Sequence, residues 1–130
     1  MPDLGSSVFA IGYPIKGSTE NEIKITSGTI IAKTGFDGKM STYQISTHLN
    51  LGNNGGPIFN NRGEIVGIVY SKLDWSEKVS YCIKTTFLCN IIESFSIPQS
   101  IITKSNFANL TFPEQVDSVK DFIYIIEVQY

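Results

Sequence analysis

The chain has 130 residues, with ten Lys and Arg against twelve Asp and Glu, and its net charge at neutral pH is −2. That length is enough for one domain with an ordinary hydrophobic core, since a chain of this size buries roughly two-thirds of the surface that it exposes when unfolded. No basic run could follow a phosphate backbone and no apolar run could span a bilayer, so we expect neither a nucleic-acid partner nor a membrane segment.

Short runs of Val, Ile, Thr, Tyr and Phe alternate along the chain with clusters of Gly, Asn, Asp and Pro. This pattern is typical of an all-β barrel or sandwich. Six strands are predicted, over approximately residues 6–13, 25–35, 40–49, 57–60, 64–71 and 78–84. Two of the turns between them place Gly38 and Gly63 where a tight hairpin needs a positive φ.

The third predicted strand has a regular alternation of side chains. Alternate residues of a strand point to opposite faces of the sheet. One face carries Tyr43, Ile45, Thr47 and Leu49, and the other carries Gln44, Ser46, His48 and Asn50. We expect the first face to pack in the core and the second to look toward a functional site.

After Lys84 the pattern becomes helical. Apolar residues at helical spacing follow two Thr residues that could cap a helix, so a short helix flanking the barrel is predicted over 85–95. Its packed face is expected to hold Leu88, Ile91, Ile92 and Phe95. Residues 1–96 then form the barrel domain. Residues 97–130 form a tail whose β-rich end predicts a pairing strand at 121–129, which would be prone to aggregate if unpaired.

The content of Cys and His argues against a metal centre or a disulfide framework. Cys82 and Cys89 are the two cysteines, and His48 is the single histidine. Zinc sites need more such ligands, and two cysteines do not make a disulfide scaffold. Two free, buried thiols are the better interpretation, with a bridge as the alternative. We expect no metal and no cofactor, since no dinucleotide-binding fingerprint is present either.

The segment Gly-Asn-Asn-Gly-Gly-Pro at 52–57 differs at one position from the Gly-x-Ser-Gly-Gly-Pro loop of trypsin-like serine proteases. Asn-Gly pairs form turns in many proteins, so the strands around the loop decide the interpretation. Val8–Pro14 and Ile25–Ile31 resemble the strands that open the second barrel of HtrA-like members. Over roughly residues 5 to 95, the chain resembles the C-terminal half of this family. The resemblance implies a six-stranded antiparallel barrel followed by a short helix.

The resemblance places Asn54 at the position of the family's nucleophilic Ser. The backbone N–H groups of Gly52 and Asn54 would form the oxyanion hole. An amide has no hydroxyl that a base could activate, so covalent acyl transfer is not expected. The family's His and Asp belong to the first barrel, which this sequence does not contain, and His48 cannot replace that base. The sequence thus predicts a catalytically inactive homologue.

The resemblance also indicates where a peptide could bind. By position, His48 corresponds to the floor of the specificity pocket, where it could bind a Glu or Gln side chain. It could equally be a lone polar residue on a half-exposed strand. Tyr70, Ser71 and Lys72 match the segment whose backbone pairs with substrate. Tyr70 is larger than the residue usual there and could partly fill the pocket entrance.

Two classes of function remain open at this point. The first is the second barrel of a trypsin-like endopeptidase homologue that binds a peptide, a protein or a first barrel. In a variant of it the parent is an active protease and Asn54 is a local departure. The second is a stand-alone β-domain that binds or scaffolds a partner and oligomerises through residues 97–130 with a second copy.

Overall fold

Six strands close into an antiparallel barrel. The computed structural model describes residues 2–13, 23–35, 38–47, 49, 51–70, 80–94 and 107–123. The strands are β1 (Ser7–Gly12), β2 (Lys24–Ala32), β3 (Thr42–Ile45), β4 (Pro57–Asn60), β5 (Ile65–Tyr70) and β6 (Ser80–Lys84). They pair around the barrel in the order β1-β2-β3-β6-β5-β4. The predicted fold class is confirmed.

The turn between β4 and β5 is built as its sequence predicts. Gly63 has φ 78°, which an L side chain rarely adopts. The Asn60 side-chain oxygen accepts hydrogen bonds from the backbone N–H groups of Arg62 and Glu64, both at 3.0 Å. The Asn60 side chain thus satisfies two backbone N–H groups of the turn, which would otherwise need water as acceptor. These bonds also fix the register of the hairpin. Gly38 also has a positive φ, of 71°.

Strand β3 is shorter than predicted because a side chain ends its ladder. The predicted strand ran to residue 49, whereas β3 ends at Ile45. Beyond it the N–H of Thr29 donates to the hydroxyl oxygen of Ser46 at 3.0 Å. A Ser side chain that takes the place of a backbone acceptor competes with regular pairing. The alternation still holds at Leu49, which is buried beside Tyr43 and Ile45.

The barrel interior is an apolar cluster that we call the inner cluster. It consists of Val8, Ala10, Ile30, Tyr43, Ile45, Leu49, Ile58, Val66, Val69 and Cys82. Every strand contributes at least one residue, and β1 and β3 contribute alternate residues, as half-buried strands should. Gly67 allows β5 and β6 to approach closely, since a Cβ there would lie 2.8 Å from the Cys82 sulfur.

A second apolar cluster, the outer cluster, lies on the opposite face of β1 and β4. Its buried members are Phe9, Ile11, Phe59 and Val116, and Ile23, Leu110, Val119 and Ile123 pack partly buried against them. The rings of Phe9 and Phe59 stack with centroids 5.3 Å apart. Val116 belongs to a helix of the tail, so residues 107–123 cover this face of the barrel.

The helix that follows β6 is present, but its packing differs from the prediction. Helix α1 (Thr85–Ser94) has no fully buried residue. Leu88 and Ile92 are half-buried, whereas Ile91 is 56% exposed, so its assignment to the packed face was wrong. Phe95 lies outside the described residues. No helix in the described part of the chain is long and apolar enough to cross a membrane.

The tail contains a helix that the sequence analysis did not predict. Helix α2 (Phe112–Val119) is followed by a 3-10 turn over Lys120–Phe122. The pairing strand predicted at 121–129 therefore does not begin at residue 121. Residues 124–130 lie outside the described part of the chain, and a strand there stays a prediction. The hydroxyl of Tyr13 donates to the carbonyl of Ile123 at 3.2 Å, which ties the tail to the end of β1.

Both cysteines are free, and they differ in environment. Cys82 is 1% exposed inside the barrel, and Cys89 on α1 is half-buried. The expectation of free thiols is confirmed, while the expected full burial holds for Cys82 alone. Burial raises the pKa of the Cys82 thiol to about 11, although the nearby positive charge of Lys84 acts in the opposite direction. Burial also raises the pKa of Tyr43.

Candidate functional site

The loop between β3 and β4 lies at one end of the barrel. Leu51–Asn53 form a single 3-10 turn, Gly55 has φ 78°, and Pro57 begins β4. The chain turns back toward the barrel at Gly55. The positive φ of this turn is a conformation that residues with a side chain rarely adopt. Residue 54 thus occupies the bend between the 3-10 turn and the return to β4.

Backbone hydrogen bonds attach this loop to β5. The N–H of Gly55 donates to the carbonyl of Val69 at 3.0 Å, and the N–H of Val69 donates to the carbonyl of Gly56 at 2.8 Å. Within the loop, the N–H of Gly56 donates to the carbonyl of Asn53 at 2.9 Å. These bonds continue the β4–β5 ladder past Pro57. They help to fix the position of the bend through backbone groups.

Strand β1 packs closely against the same loop. A Cβ on Gly12 would lie 2.7 Å from the side-chain nitrogen of Asn53 and 2.8 Å from the carbonyl oxygen of Gly52. These distances are shorter than Cβ atoms tolerate, so a side chain at residue 12 would displace the loop. Asn53 itself is 4% exposed and is held between β1 and the bend. Gly12 is therefore a positioning residue for the loop, a role that the sequence analysis missed.

The segment leading into the loop is also anchored. The N–H of Leu49 donates to the hydroxyl of Ser80 at 2.8 Å, and the hydroxyl of Thr47 donates to the carbonyl of Ser27 at 3.1 Å. Ser80 is itself buried at the start of β6. The loop therefore has fixed attachments to β1, β2, β5 and β6, which is what a preorganised site requires.

The predicted site residues divide into described and undescribed groups. Gly52 is half-buried beside β1, and Asn54 is exposed at the bend. Tyr70 ends β5, pairs with Tyr81 and is 48% exposed. His48, Ser71 and Lys72 lie outside the described residues, so their roles stay predictions. The structure thus brings Asn54 and Tyr70 to the same end of the barrel. Asn54 precedes Gly55 and Tyr70 follows Val69, and Gly55 and Val69 are joined by a backbone hydrogen bond.

The chemistry available in the loop is that of backbone amides and side-chain amides. Segment 52–57 contains no ionisable side chain. Asn54 can donate and accept hydrogen bonds, but it cannot be deprotonated to a nucleophile at neutral pH. The buried thiol of Cys82 does not replace it, because its raised pKa keeps it protonated. Among the described residues, no group of three or more His, Cys, Asp or Glu could hold a metal ion.

Residues 1–68 match the model of the trypsin-like peptidase domain. The matched stretch includes the loop at 52–57 and the strand β1 that packs against it. The chain belongs to the trypsin-like peptidase domain family. The family assignment that the loop and its flanking strands indicated is therefore confirmed.

Relatives of this peptidase domain place it among the Do-like, HtrA-like members. It is 31% identical to Protease Do-like 2, chloroplastic, of Arabidopsis thaliana over 102 residues, which cover 73% of this chain and 16% of that protein. It is 29% identical to the uncharacterized protein y4bJ of Sinorhizobium fredii over 129 residues, which cover 92% of this chain and 20% of that protein. A match of that extent reaches into the tail.

A solved structure supports the same assignment. The serine endoprotease from Yersinia pestis is 30% identical to this chain and superposes with a TM-score of 0.58, covering 72% of this chain and 32% of that one. The peptidase domain described here spans a fifth or less of the length of the curated relatives that it matches.

Proposed function

We propose that this chain is the C-terminal barrel of an HtrA-like serine endopeptidase homologue that does not form an acyl-enzyme and that binds extended peptides. The observation that carries the proposal is the exposed Asn54 at the bend of a loop held by β1 and β5. In this family the nucleophile occupies that position.

The loss of chemistry follows from one functional group. Acyl transfer needs an oxygen or sulfur that attacks the peptide carbonyl while a base removes its proton. The Asn54 amide nitrogen is a poor nucleophile, because its lone pair is delocalised into its own carbonyl. A first barrel that supplies His and Asp would not restore the attack. The proposal of inactivity therefore depends on residue 54 and not on where the chain begins.

Peptide binding requires different groups, and we propose that the backbone from Tyr70 onward supplies them. Strand addition uses the main-chain N–H and C=O groups of the receptor. Tyr70 is one residue beyond Val69, which bonds both Gly55 and Gly56. A peptide pairing with the chain from Tyr70 through Lys72 would pass beside residue 54. His48 is proposed to contact a Glu or Gln side chain of that peptide.

The absence of hydrolysis is tested with purified protein and unfolded casein. We expect no cleavage and no covalent adduct with a fluorophosphonate probe. Cleavage that disappears in Asn54→Ala and persists in Asn61→Ala would contradict the proposal. Asn61 is the matched control, because it is an exposed Asn in the turn after β4.

Peptide binding is tested by NMR titration with extended peptides that contain Glu or Gln. The backbone amides of Gly52, Asn54 and Tyr70 should shift with saturation, while the amide of Gly63 in the distant turn should not. His48→Ala should weaken binding of the Glu and Gln peptides more than that of their Ala counterparts. Equal effects on both would remove the specificity role of His48, and no saturable shift would contradict peptide binding itself.

The alternative, a stand-alone domain that oligomerises through its tail, has less support. The described part of the tail packs against its own barrel through Val116 and Ile123. Light scattering over a range of concentrations distinguishes the two. A stable oligomer would favour the alternative, whereas a monomer would count against it.

A further inference from the structure

A pocket of about 120 Å³ lies at the end of the barrel opposite to the Asn54 loop. Its walls include Tyr43, Lys84 at the end of β6, and the first two residues of α1, Thr85 and Thr86. One water molecule occupies about 30 Å³ in liquid water, so the pocket volume corresponds to about four water molecules. It is therefore large enough for a small ion.

Lys84 is the buried charge of this pocket. The residue is 6% exposed, and its Nζ lies 4.7 Å from the centroid of the Tyr43 ring. None of the carboxylates in the described part of the chain forms an ion pair with it. Every fully enclosed side-chain nitrogen or oxygen among the described residues has a hydrogen-bond partner. The ammonium therefore faces the Tyr43 ring on one side and solvent in the pocket on the other, with no ion pair to a carboxylate of the described residues.

The start of helix α1 adds positive potential at the same place. The first N–H groups of a helix have no intrahelical partner and carry about half a positive charge between them. The first turn of α1 contains no acidic residue. Lys84 immediately precedes that turn, so the side-chain charge and the helix end reinforce each other.

Two further charges line the pocket, and they neutralise each other. Arg62 and Glu64 form an ion pair at 2.7 Å, and their side chains are 67% and 60% exposed. A carboxylate oxygen of Glu64 also accepts a hydrogen bond from the side chain of Asn60 at 3.2 Å. The exposed pair therefore leaves the Lys84 charge uncompensated.

We propose that this pocket binds a small oxyanion of the phosphate type between Lys84 and the N-terminus of α1. The anion would accept hydrogen bonds from the Lys84 ammonium and from the first amides of the helix, the arrangement that suits such ions. The inference is independent of the peptidase ancestry, because it uses the other end of the barrel and none of the residues of the Asn54 loop.

The test is an NMR titration of the whole chain with inorganic phosphate, with chloride reduced to hold the ionic strength constant. We expect saturable shifts of the Thr85, Thr86 and Phe87 amides, while the Gly52 amide does not respond. Shifts that are linear in concentration, or spread evenly over the surface, would overturn the proposal. This measurement needs no variant.

Two substitutions then identify the charge responsible. Lys84→Met should weaken phosphate binding roughly tenfold or more, as loss of a charge-assisted hydrogen bond predicts. Lys33→Met should leave it unchanged, because Lys33 pairs with Asp3 on the surface. An equal affinity of Lys84→Met and of the unaltered chain for inorganic phosphate would contradict the proposal. If Lys84→Met does not fold, as its amide spectrum would reveal, the titration of the unaltered chain decides alone.

A third titration identifies the source of the anion. O-phosphoserine binding at least as tightly as inorganic phosphate would assign the site to a phosphoryl group on a larger molecule. Binding of inorganic phosphate alone would assign it to the free ion.

Discussion

The inner and outer clusters both use residues of β1 and β4, but they differ in which other parts of the chain complete them. The inner cluster closes the barrel from residues that all six strands point inward. The outer cluster covers the opposite face of β1 and β4 with residues from the tail. Ile58 and Phe59 are neighbours on β4, yet the first belongs to the inner cluster and the second to the outer one. Strands β1 and β4 are therefore buried on both faces, while most of a small barrel's outer surface faces water.

This difference indicates two levels of cooperativity. Inner residues contact several strands at once, so their loss should weaken the whole barrel. The tail contacts β1 and β4 through a short helix of eight residues, and short peripheral elements open with less free energy than a core. We expect the tail to open locally while the barrel stays folded.

The largest expected effect is that of Ile58→Ala in the inner cluster. Ile58 is 1% exposed, and truncating a fully buried Ile to Ala costs about 2–5 kcal/mol. That is a large part of the 5–15 kcal/mol that stabilises a typical domain. Denaturant titration by fluorescence and circular dichroism should show one earlier transition by both probes.

Ile65→Ala is the matched control for that measurement. Ile65 is 44% exposed on the neighbouring strand, so we expect a change within about 0.5 kcal/mol. Equal losses at Ile58 and Ile65 would mean that the barrel interior is not the main source of stability.

The sequence predicted the inner cluster better than the outer cluster. The inner cluster could largely be foreseen, because the alternation in strands such as β3 and turn glycines such as Gly63 specify it locally. The outer cluster could not, because alternation marks Phe9 and Ile11 as apolar without saying what covers them. The segment Thr111-Phe112-Pro113-Glu114 did contain a helix-start signal, with a capping Thr, an early Pro and a Glu three residues on. The strand-forming residues that follow the helix led instead to the prediction of a strand at 121–129.

The candidate site was predictable to a similar degree. The motif at 52–57 identified the loop and the residue at its bend. Its attachments were not foreseen, since the close approach of Gly12 to Asn53 joins residues 41 positions apart, and local sequence patterns carry no such information. The same holds for Lys84, which reads as an ordinary polar strand end but lies buried against Tyr43.

The second prediction compares the two thiols across pH. Cys82 has a pKa of about 11 in the folded chain against an ordinary value of 9.0. A raised folded pKa gives stability that is fully present below about pH 9 and is lost as pH rises toward 11. The loss is about 2–3 kcal/mol for a shift of two units. The raised pKa of Tyr43 acts in the same direction at higher pH.

Unfolding free energies measured between pH 8 and pH 11 check this prediction. Cys82→Ala should flatten the decline, while Cys89→Ala should leave it in place, because Cys89 is half-buried on α1. A thiol reagent at pH 8 should modify Cys89 in the folded chain and spare Cys82. Rapid modification of both would mean that the barrel interior opens easily and that Cys82 is not protected by burial.

The smallest expected effect is at the cap of the tail helix. The Thr111 side chain accepts a hydrogen bond from the N–H of Glu114 at 3.5 Å, which is long for such a bond. Thr111→Ala should therefore cost no more than about 1 kcal/mol. Hydrogen exchange should show faster exchange at the amides of α2 and unchanged exchange in β3 and β6. Exchange that accelerates throughout the barrel would mean that the outer cluster is part of one cooperative unit with the inner cluster, against the separation argued from β4.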